Sequence, residues 1–310
     1  MENVPNLEAT APTGTPLISV LFVDYQSHAF LDRAITSLRW AEPELSIEIL
    51  AVDNGSPERR AAEEICRRHR VRLLRLTRNL GYGAAANRGL KYVSTPYVAV
   101  ANPDITFERG SLSKLLEVME NNSSIGAVAP QLLYPDGTPQ PSARRLPRLK
   151  YVLAGRRSPI VRIFPHWSLA RKFQYLGSEN ANSLIYAEAL LGTLLVLRTA
   201  AIAQVCGFDE RFFMFAEDID LSRRLRQRGW NLAVEPRARI FHFCGGSRQL
   251  VRRFTDYHRI KGLTLFLTLD RSLIERCLVW ILGTWYYITL ETMAMIGLYE
   301  HEYSWKTHKC

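Results

Sequence analysis

Four apolar runs rich in β-branched residues, "LISVLFVDY" (17–25), "IEILAVDNGS" (47–56), "VRLLRLT" (71–77) and "YVAVANPD" (97–104), alternate with stretches of helical character. After the first run, Phe30, Leu31, Ala34, Ile35 and Leu38 recur at three and four residues, the spacing of a helix with one apolar face. "PERRAAEEICRRH" sets Pro57 near a first helical position and acids ahead of bases, which suits a helix start and its dipole. "GYGAAANRGLKYV" supplies a third helical stretch. Continuous apolar strands are buried on both faces, and strands alternating with helices build a parallel sheet between two helical layers. The expectation is a Rossmann-like, three-layer α/β/α domain with a mainly parallel central sheet.

In such a sheet, ligands bind outside the carboxyl ends of the strands. The polar residues at those ends are Asp24, Asp53 with Asn54, Asn79, and Asp104. Each alone suits a turn or a helix cap. Four at corresponding strand ends point instead to one shared site.

Composition bounds the partners. With 310 residues, 47% of them apolar, the chain can bury the core of a large domain. Its formal charge of +10 is uneven: from Gly137 to Ser178 there is no acid, against nine bases that include Arg144, Arg145, Arg156 and Lys172. Such a patch suits a nucleotide diphosphate, an anionic lipid or nucleic acid, and equally a solvated loop. Cys66, Cys206, Cys244, Cys277 and Cys310 show no CxxC spacing, which leaves neither a zinc site nor a disulfide framework and fits a reducing, cytosolic setting. Residues 1–16 lack the basic and apolar regions of a signal peptide and read as a flexible leader.

"AEDIDLSRRLRQRG" places Glu217, Asp218 and Asp220 on the first turn of a helix and four arginines toward its end. The helix dipole alone favours that distribution. The aromatic stretch before it, "FDERFFMFA", argues for desolvated carboxylates suited to accepting a proton. Asp104, together with His242 at the end of the next strand, can hold Mg2+ or Mn2+, with phosphate oxygens and water completing the shell. A lone histidine is more often structural than a ligand. Here "HFCGGSR" follows, a glycine-containing loop through which Arg248 and the backbone can approach phosphates.

The set "ISVLFVDYQS", "ILAVDNGSPE", "RNLGYGAAANRGL", "ANPDITF", "PDGTPQPSAR", "GTLLVLR", "GFDERFFMFAEDIDLSRRLRQRGW" and "HFCGGSR" resembles the family 2 glycosyltransferases, in particular the rhamnosyltransferase-like branch that builds cell-surface polysaccharides. The resemblance runs from about residue 17 to 248, with the motifs in the family's order. It implies a GT-A fold and inverting transfer of a sugar from a nucleotide diphosphate, best matched to L-rhamnose from dTDP-L-rhamnose. By the same resemblance Asp53 hydrogen-bonds the base, and Asp24 with Tyr25 forms the first nucleotide loop. Asn79, Gly81, Tyr82 and Asn87 match the loop beside nucleotide and sugar, and Asn102-Pro103-Asp104 stands in the place of the metal motif. Asp218 matches the general base, with Glu217 orienting it or the sugar, and His242 matches the metal-associated histidine. Gln140, Ser142 and Arg144 match a Q-x-S-x-R motif; with Gly192 and Thr193 they are expected in the donor or acceptor pocket. The first loop departs from the family's usual V-N-Y-N, since Asp24 and Gln26 flank Tyr25.

Past residue 250 the character changes. Residues 278–299 carry a single charge, Glu291, and are long enough to span a bilayer, to lie at its interface, or to pack on the domain. Their tryptophans and tyrosines, with Arg252, Arg253, Arg259, Lys261, Arg271 and Arg276 upstream, favour the interface and an anionic membrane surface. The expected organisation is a leader (1–16), a transferase domain (17–248) with a basic, loop-rich insert (137–178), and a helical extension (249–310). Peripheral attachment to the cytoplasmic face of an inner membrane would bring the site to a lipid-linked acceptor. Nucleic-acid binding leaves the strand-end acids unexplained, and "GYG" lacks the full dinucleotide fingerprint after the first strand. A catalytically inactive sugar-nucleotide binder stays open, although Asp104 and Asp218 are both present.

Overall fold

The computed structural model describes residues 16–148, 183–243 and 252–295, together with 166, 168 and 172. The leader up to residue 15, most of the basic insert, Arg248 with its glycine loop, and the chain past 295 lie outside the described residues.

Strand β1 (Ile18–Asp24) sends Ile18, Val20 and Phe22 into one apolar cluster and Leu21 and Val23 into another, because successive strand side chains alternate. Both sets are buried, which is why the run is apolar throughout. In chain order there follow α1 (His28–Ala41), β2 (Ile47–Asp53), α2 (Arg59–Arg68), β3 (Arg72–Arg75), α3 (Tyr82–Leu90), β4 (Tyr97–Ala101), β5 (Ile105–Phe107), α4 (Ser111–Asn121) and β6 (Ile125–Leu133). The short strands β7 (Pro139–Gln140), β8 (Ala143–Arg144), β9 (Ile185–Tyr186) and β10 (Ala189–Leu190) come next. The described chain closes with β11 (Leu194–Arg198), α5 (Thr199–Gln204), α6 (Glu217–Gln227), β12 (Asn231–His242), α7 (Arg252–Thr268) and α8 (Leu273–Met295).

The main sheet runs β3-β2-β1-β4-β11-β6-β12-β5. Its first four strands are parallel, as the sequence pattern requires. Beyond β4 it is mixed: β11 is antiparallel to both β4 and β6, β12 is parallel to β6, and β5 is antiparallel to β12. The amphipathic faces of α1, α2 and α4 cover one side of the sheet, and α3, α5 and α6 cover the other, giving three layers.

A third, smaller cluster ties in the C-terminal helices. Phe266 of α7 packs with Ala189, Phe212, Ala216 and Ile219, next to the start of α6. Phe254 meets Phe213 edge-on at 5.7 Å, and His258 lies 4.6 Å from the same ring. At Gly262 the approach is closer still, since a Cβ there would stand 2.6 Å from the Phe215 carbonyl oxygen. Helix α8 packs on α7, with Tyr287 on Tyr257 at 5.8 Å. Its other side leaves Ile274 (75%), Ile281 (63%), Trp285 (65%) and Ile288 (57%) open. Among the described residues, no helix is long and apolar enough to cross a membrane.

The turn from β1 into α1 is held by charge. His28 Nδ1 pairs with the fully buried Asp24, and that bond raises the imidazole pKa above its usual value against the opposing effect of burial, with further help from Asp53 and Glu58. Because the folded pKa is raised, this contribution to stability is complete below the unfolded value of about 6.5 and is lost as pH rises through the folded value. Urea midpoints measured from pH 6 to 9 should fall across that window in the parent protein, and His28→Gln should remove this component. A parent whose midpoint does not change with pH in that range would contradict the pairing.

Candidate active site

Strand register assembles the carboxyl edge of the sheet. It sets Asp24 beside Asp53, Asp53 beside Arg75, and Ala101 between Phe22 and Leu194. Asn102 and Thr193 follow directly, joined by the Asn102 N–H donating to the Thr193 carbonyl at 2.9 Å. Because β11 is antiparallel to β4, Gly192 and Thr193 enter the site from the start of a strand rather than from its end.

The strand-end residues divide by what their side chains touch. Asp24 accepts from Ser27 Oγ at 2.5 Å and pairs with His28, so its carboxylate orders the turn, while neighbouring Tyr25 is exposed. Asp53 Oδ1 accepts from the Ser56 N–H at 2.9 Å. Its Oδ2 is buried, accepts no hydrogen bond, and lies 3.3 Å from Arg75 Nη2. That oxygen has acceptor capacity left for a nucleobase N–H. Asn54 and Asn79 build the next loop: Asn54 donates to Asn79 Oδ1 at 3.0 Å and accepts from Leu80 N–H, while Asn79 accepts from Gly81 N–H. Asn87 is spent on packing, donating to the Phe208 carbonyl and accepting from its N–H, both at 2.8 Å.

The three acids ahead of the arginines separate in the same way. Asp220 is fully buried and bound by Arg224 at 2.6 Å and Arg223 at 3.0 Å, an internal ion pair that anchors α6. Residue Ala216 occupies the N-cap position and makes no side-chain cap hydrogen bond. Phe215 and Ala216 are both left-handed, with φ of 66° and 67°. Non-glycine residues pay about 1–3 kcal/mol each for such a backbone, which persists only where the surroundings over-determine it. Here the brace is double: Phe213 O accepts the Tyr82 N–H at 2.9 Å on one side, and Gly262 of α7 abuts the Phe215 carbonyl on the other.

The strained turn presents Asp218. Its Oδ2 accepts from the Gly192 N–H at 2.9 Å and stands 3.7 Å from Arg144 Nη2; its Oδ1 accepts from the Ile219 N–H at 2.8 Å. The Gly192 carbonyl in turn accepts from the Tyr82 hydroxyl at 3.4 Å. Burial raises the Tyr82 phenol well above its usual pKa, and Glu217, Asp218 and Asp104 add to the rise. One hydroxyl thus senses all three carboxylates.

Asp104 and His242 are neighbours because β5 pairs with β12, with Ile105 opposite His242. His242 Nε2 is 3.6 Å from Asp104 Oδ1, and His242 Nδ1 is 2.7 Å from Gln140 Oε1. Among the described residues no group of three or more His, Cys, Asp and Glu side chains gathers, and Asp104 and His242 stand as a pair. A carboxylate oxygen and an imidazole nitrogen suit Mg2+ or Mn2+ when substrate phosphates supply further ligands.

Sequence reasoning missed two parts of this arrangement. The Tyr82–Gly192–Asp218 chain runs through a peptide group, which no side-chain pattern marks. Gln140, expected in a substrate pocket, is 2% exposed with its amide on His242.

A three-layer, mixed α/β sheet with Asp53 at the end of β2, Asp104 beside His242, and a buried Asp218 at the start of α6 suits a nucleotide-sugar transferase of the GT-A class. The profile described as "Glycosyl transferase family 2" matches residues 19–176, and the chain belongs to that family. It is 33% identical over 241 residues to the N-acetylglucosaminyl-diphospho-decaprenol L-rhamnosyltransferase of Mycobacterium tuberculosis, spanning 74% of this chain and 76% of the relative. The pre-mycofactocin glycosyltransferase of the same organism is 29% identical over 214 residues, 68% of this chain and 39% of its own length. Among solved structures, the mannosyltransferase PcManGT from Pyrobaculum calidifontis, in complex with GDP-Man and Mn2+, aligns with a TM-score of 0.57 at 15% identity, over 92% of this chain and 77% of that one. GalNAc-T7 with UDP, GalNAc and Mn2+ aligns at 0.57 and 16%, over 73% and 43%. These two likenesses concern the fold.

Proposed function

We propose that this glycosyltransferase moves L-rhamnose from dTDP-L-rhamnose, with inversion, onto a hydroxyl of a lipid-linked, N-acetylglucosamine-bearing diphosphate acceptor. The observation that carries the mechanism is the setting of Asp218, held by the Gly192 N–H on a strained turn beside Arg144. The choice of sugar and acceptor rests on the name of the mycobacterial relative.

In this reading Asp218 takes the proton of the acceptor hydroxyl as its oxygen attacks the anomeric carbon, through an oxocarbenium-like transition state. Glu217, buried beside it, orients the base or the sugar. Asp53 accepts from the nucleobase, and Gly81, Tyr82, Asn102 and Thr193 wall the diphosphate and sugar. Asp104 and His242 would hold a divalent cation, which would supply positive charge against the leaving diphosphate. Arg144 adds positive charge close to the base. A panel of nucleotide sugars, assayed for nucleoside diphosphate release with a polyprenyl-diphosphate-linked acceptor and Mn2+, tests the assignment. dTDP-L-rhamnose is expected to give the fastest release, and equal rates without acceptor would contradict transfer.

The same reading places the protein peripherally on the cytoplasmic face of the membrane, held by α8. Its open apolar side carries Ile274, Ile281, Trp285 and Ile288, and Arg271 and Arg276 stand at its start. Apolar residues insert at the headgroup boundary while nearby bases meet anionic lipid. Vesicles containing anionic phospholipid should co-sediment the parent protein, and Ile281→Glu with Trp285→Glu should leave it in the supernatant. Equal sedimentation of both proteins would rule out this face.

Two of the described bases of the basic stretch, Arg144 and Arg145, are engaged with Asp218 and Glu188 rather than open to a nucleic acid.

A further inference from the structure

We propose that Gln140 is a positioning residue that fixes the tautomer of His242, so that Nε2 faces Asp104 as a lone pair rather than as an N–H. The inference rests on the reading of Asp104 and His242 as the cation's protein donors.

The geometry puts an acceptor against one ring nitrogen. Gln140 Oε1 lies 2.7 Å from His242 Nδ1, and an amide oxygen only accepts, so Nδ1 carries the hydrogen. In the neutral ring Nε2 then points a lone pair toward Asp104 Oδ1 across 3.6 Å, longer than a hydrogen bond. Without an acceptor at Nδ1, the buried carboxylate would draw the proton to Nε2. An Nε2–H bonded to Asp104 occupies both donor atoms and excludes a cation from between them. An acceptor on the far ring nitrogen, which sets the free nitrogen of a ligating imidazole, is a recurrent requirement of metal sites.

Gln140 is built to hold that position. It is 2% exposed and sits on β7, paired across the hairpin with Leu132 of β6. Gln131 Nε2 donates to its carbonyl at 2.8 Å, and Ser142 Oγ, two residues on, accepts from the Leu132 N–H at 2.8 Å. The hairpin fixes the backbone from both sides, so the amide is a rigid partner rather than a surface group.

The test is spectroscopic first. In the metal-free parent protein with 15N-labelled histidine, imidazole correlations should show His242 protonated at Nδ1; protonation at Nε2 overturns the proposal. Mn2+ affinity, followed by electron paramagnetic resonance with dTDP present, should fall about 10–100-fold in Gln140→Met, which cannot accept strongly. Gln140→Glu, which can, should restore it. If Gln140→Met keeps both parent tautomer and affinity while His242→Ala loses affinity, the cation reading stands and the role of Gln140 falls. If Asp104→Asn and His242→Ala bind Mn2+ as tightly as the parent, the cation reading fails and this proposal fails with it.

Discussion

Asp218→Asn should lower the rate of sugar transfer by about 10²–10⁴-fold, the usual worth of a positioned general base. The amide has the same shape, and its oxygen can still accept from the Gly192 N–H that now binds Asp218 Oδ2 at 2.9 Å; the Ile219 N–H, which now donates to Oδ1 at 2.8 Å, loses its acceptor at a local cost of about 1 kcal/mol. Arg144 loses a charged partner 3.7 Å away, at a partly exposed position where the pair adds little to stability. The substitution therefore removes proton acceptance while the site keeps its form. Affinity for the nucleoside diphosphate, measured by calorimetry, should stay at the parent value, and thermal unfolding should move little. Asp220→Asn on the same turn makes the contrast: it breaks a buried network with Arg223 and Arg224, so its damage should appear in stability first. An Asp218→Asn enzyme that turns over like the parent would remove Asp218 from the mechanism.

Gly81→Ala is expected to be the most damaging single-methyl change. Gly81 has φ 90° and ψ 164°, a region essentially confined to glycine. An added Cβ would also stand 2.3 Å from the Phe213 carbonyl oxygen, which is backbone and cannot swing aside. Backbone strain of about 1–2 kcal/mol and overpacking of about 1–3 kcal/mol together predict a loss near 2–5 kcal/mol, read as a lower urea midpoint. Function should suffer beyond stability. Phe213 O is the acceptor for the Tyr82 N–H and lies two residues before the strained pair Phe215-Ala216. Displacing it moves the sugar-side loop and the turn carrying Glu217 and Asp218 together. Donor affinity and turnover should both fall by more than about tenfold, even at temperatures where the variant remains folded. Parent-like stability and kinetics would show that the two loops are not packed as described.

The parallel half of the fold was legible because each strand is buried on both faces and each helix on one, so periodicity and apolar content agree from β1 to β4. The mixed half was less so. Strand β11 reads as an apolar run in either direction, and only its pairing with β4 and β6 shows it antiparallel. Among site residues, Asp104, Asp218 and His242 were visible as polar groups at element ends, and the fold brings Asp104 and His242 together. Asp24 looked similar in sequence, yet its carboxylate binds His28 and Ser27. Sequence does not show whether an acid at a strand end faces the cleft or folds back on its own turn. The strain at Phe215 and Ala216 had no signal, since neither is a residue that favours a left-handed backbone. The role of α7 was hidden for another reason: one of its contacts is a glycine, Gly262, whose importance lies in what it lets Phe215 do.

The stereochemistry of the product tests the central claim most directly. With the donor accepted by the enzyme and a polyprenyl-diphosphate-linked acceptor, the anomeric configuration of the new glycosidic bond can be read by nuclear magnetic resonance from its one-bond carbon–proton coupling. A single displacement with Asp218 as base predicts the configuration opposite to that of the donor. Retention would require a second displacement through a covalent intermediate, and would contradict the role given to Asp218.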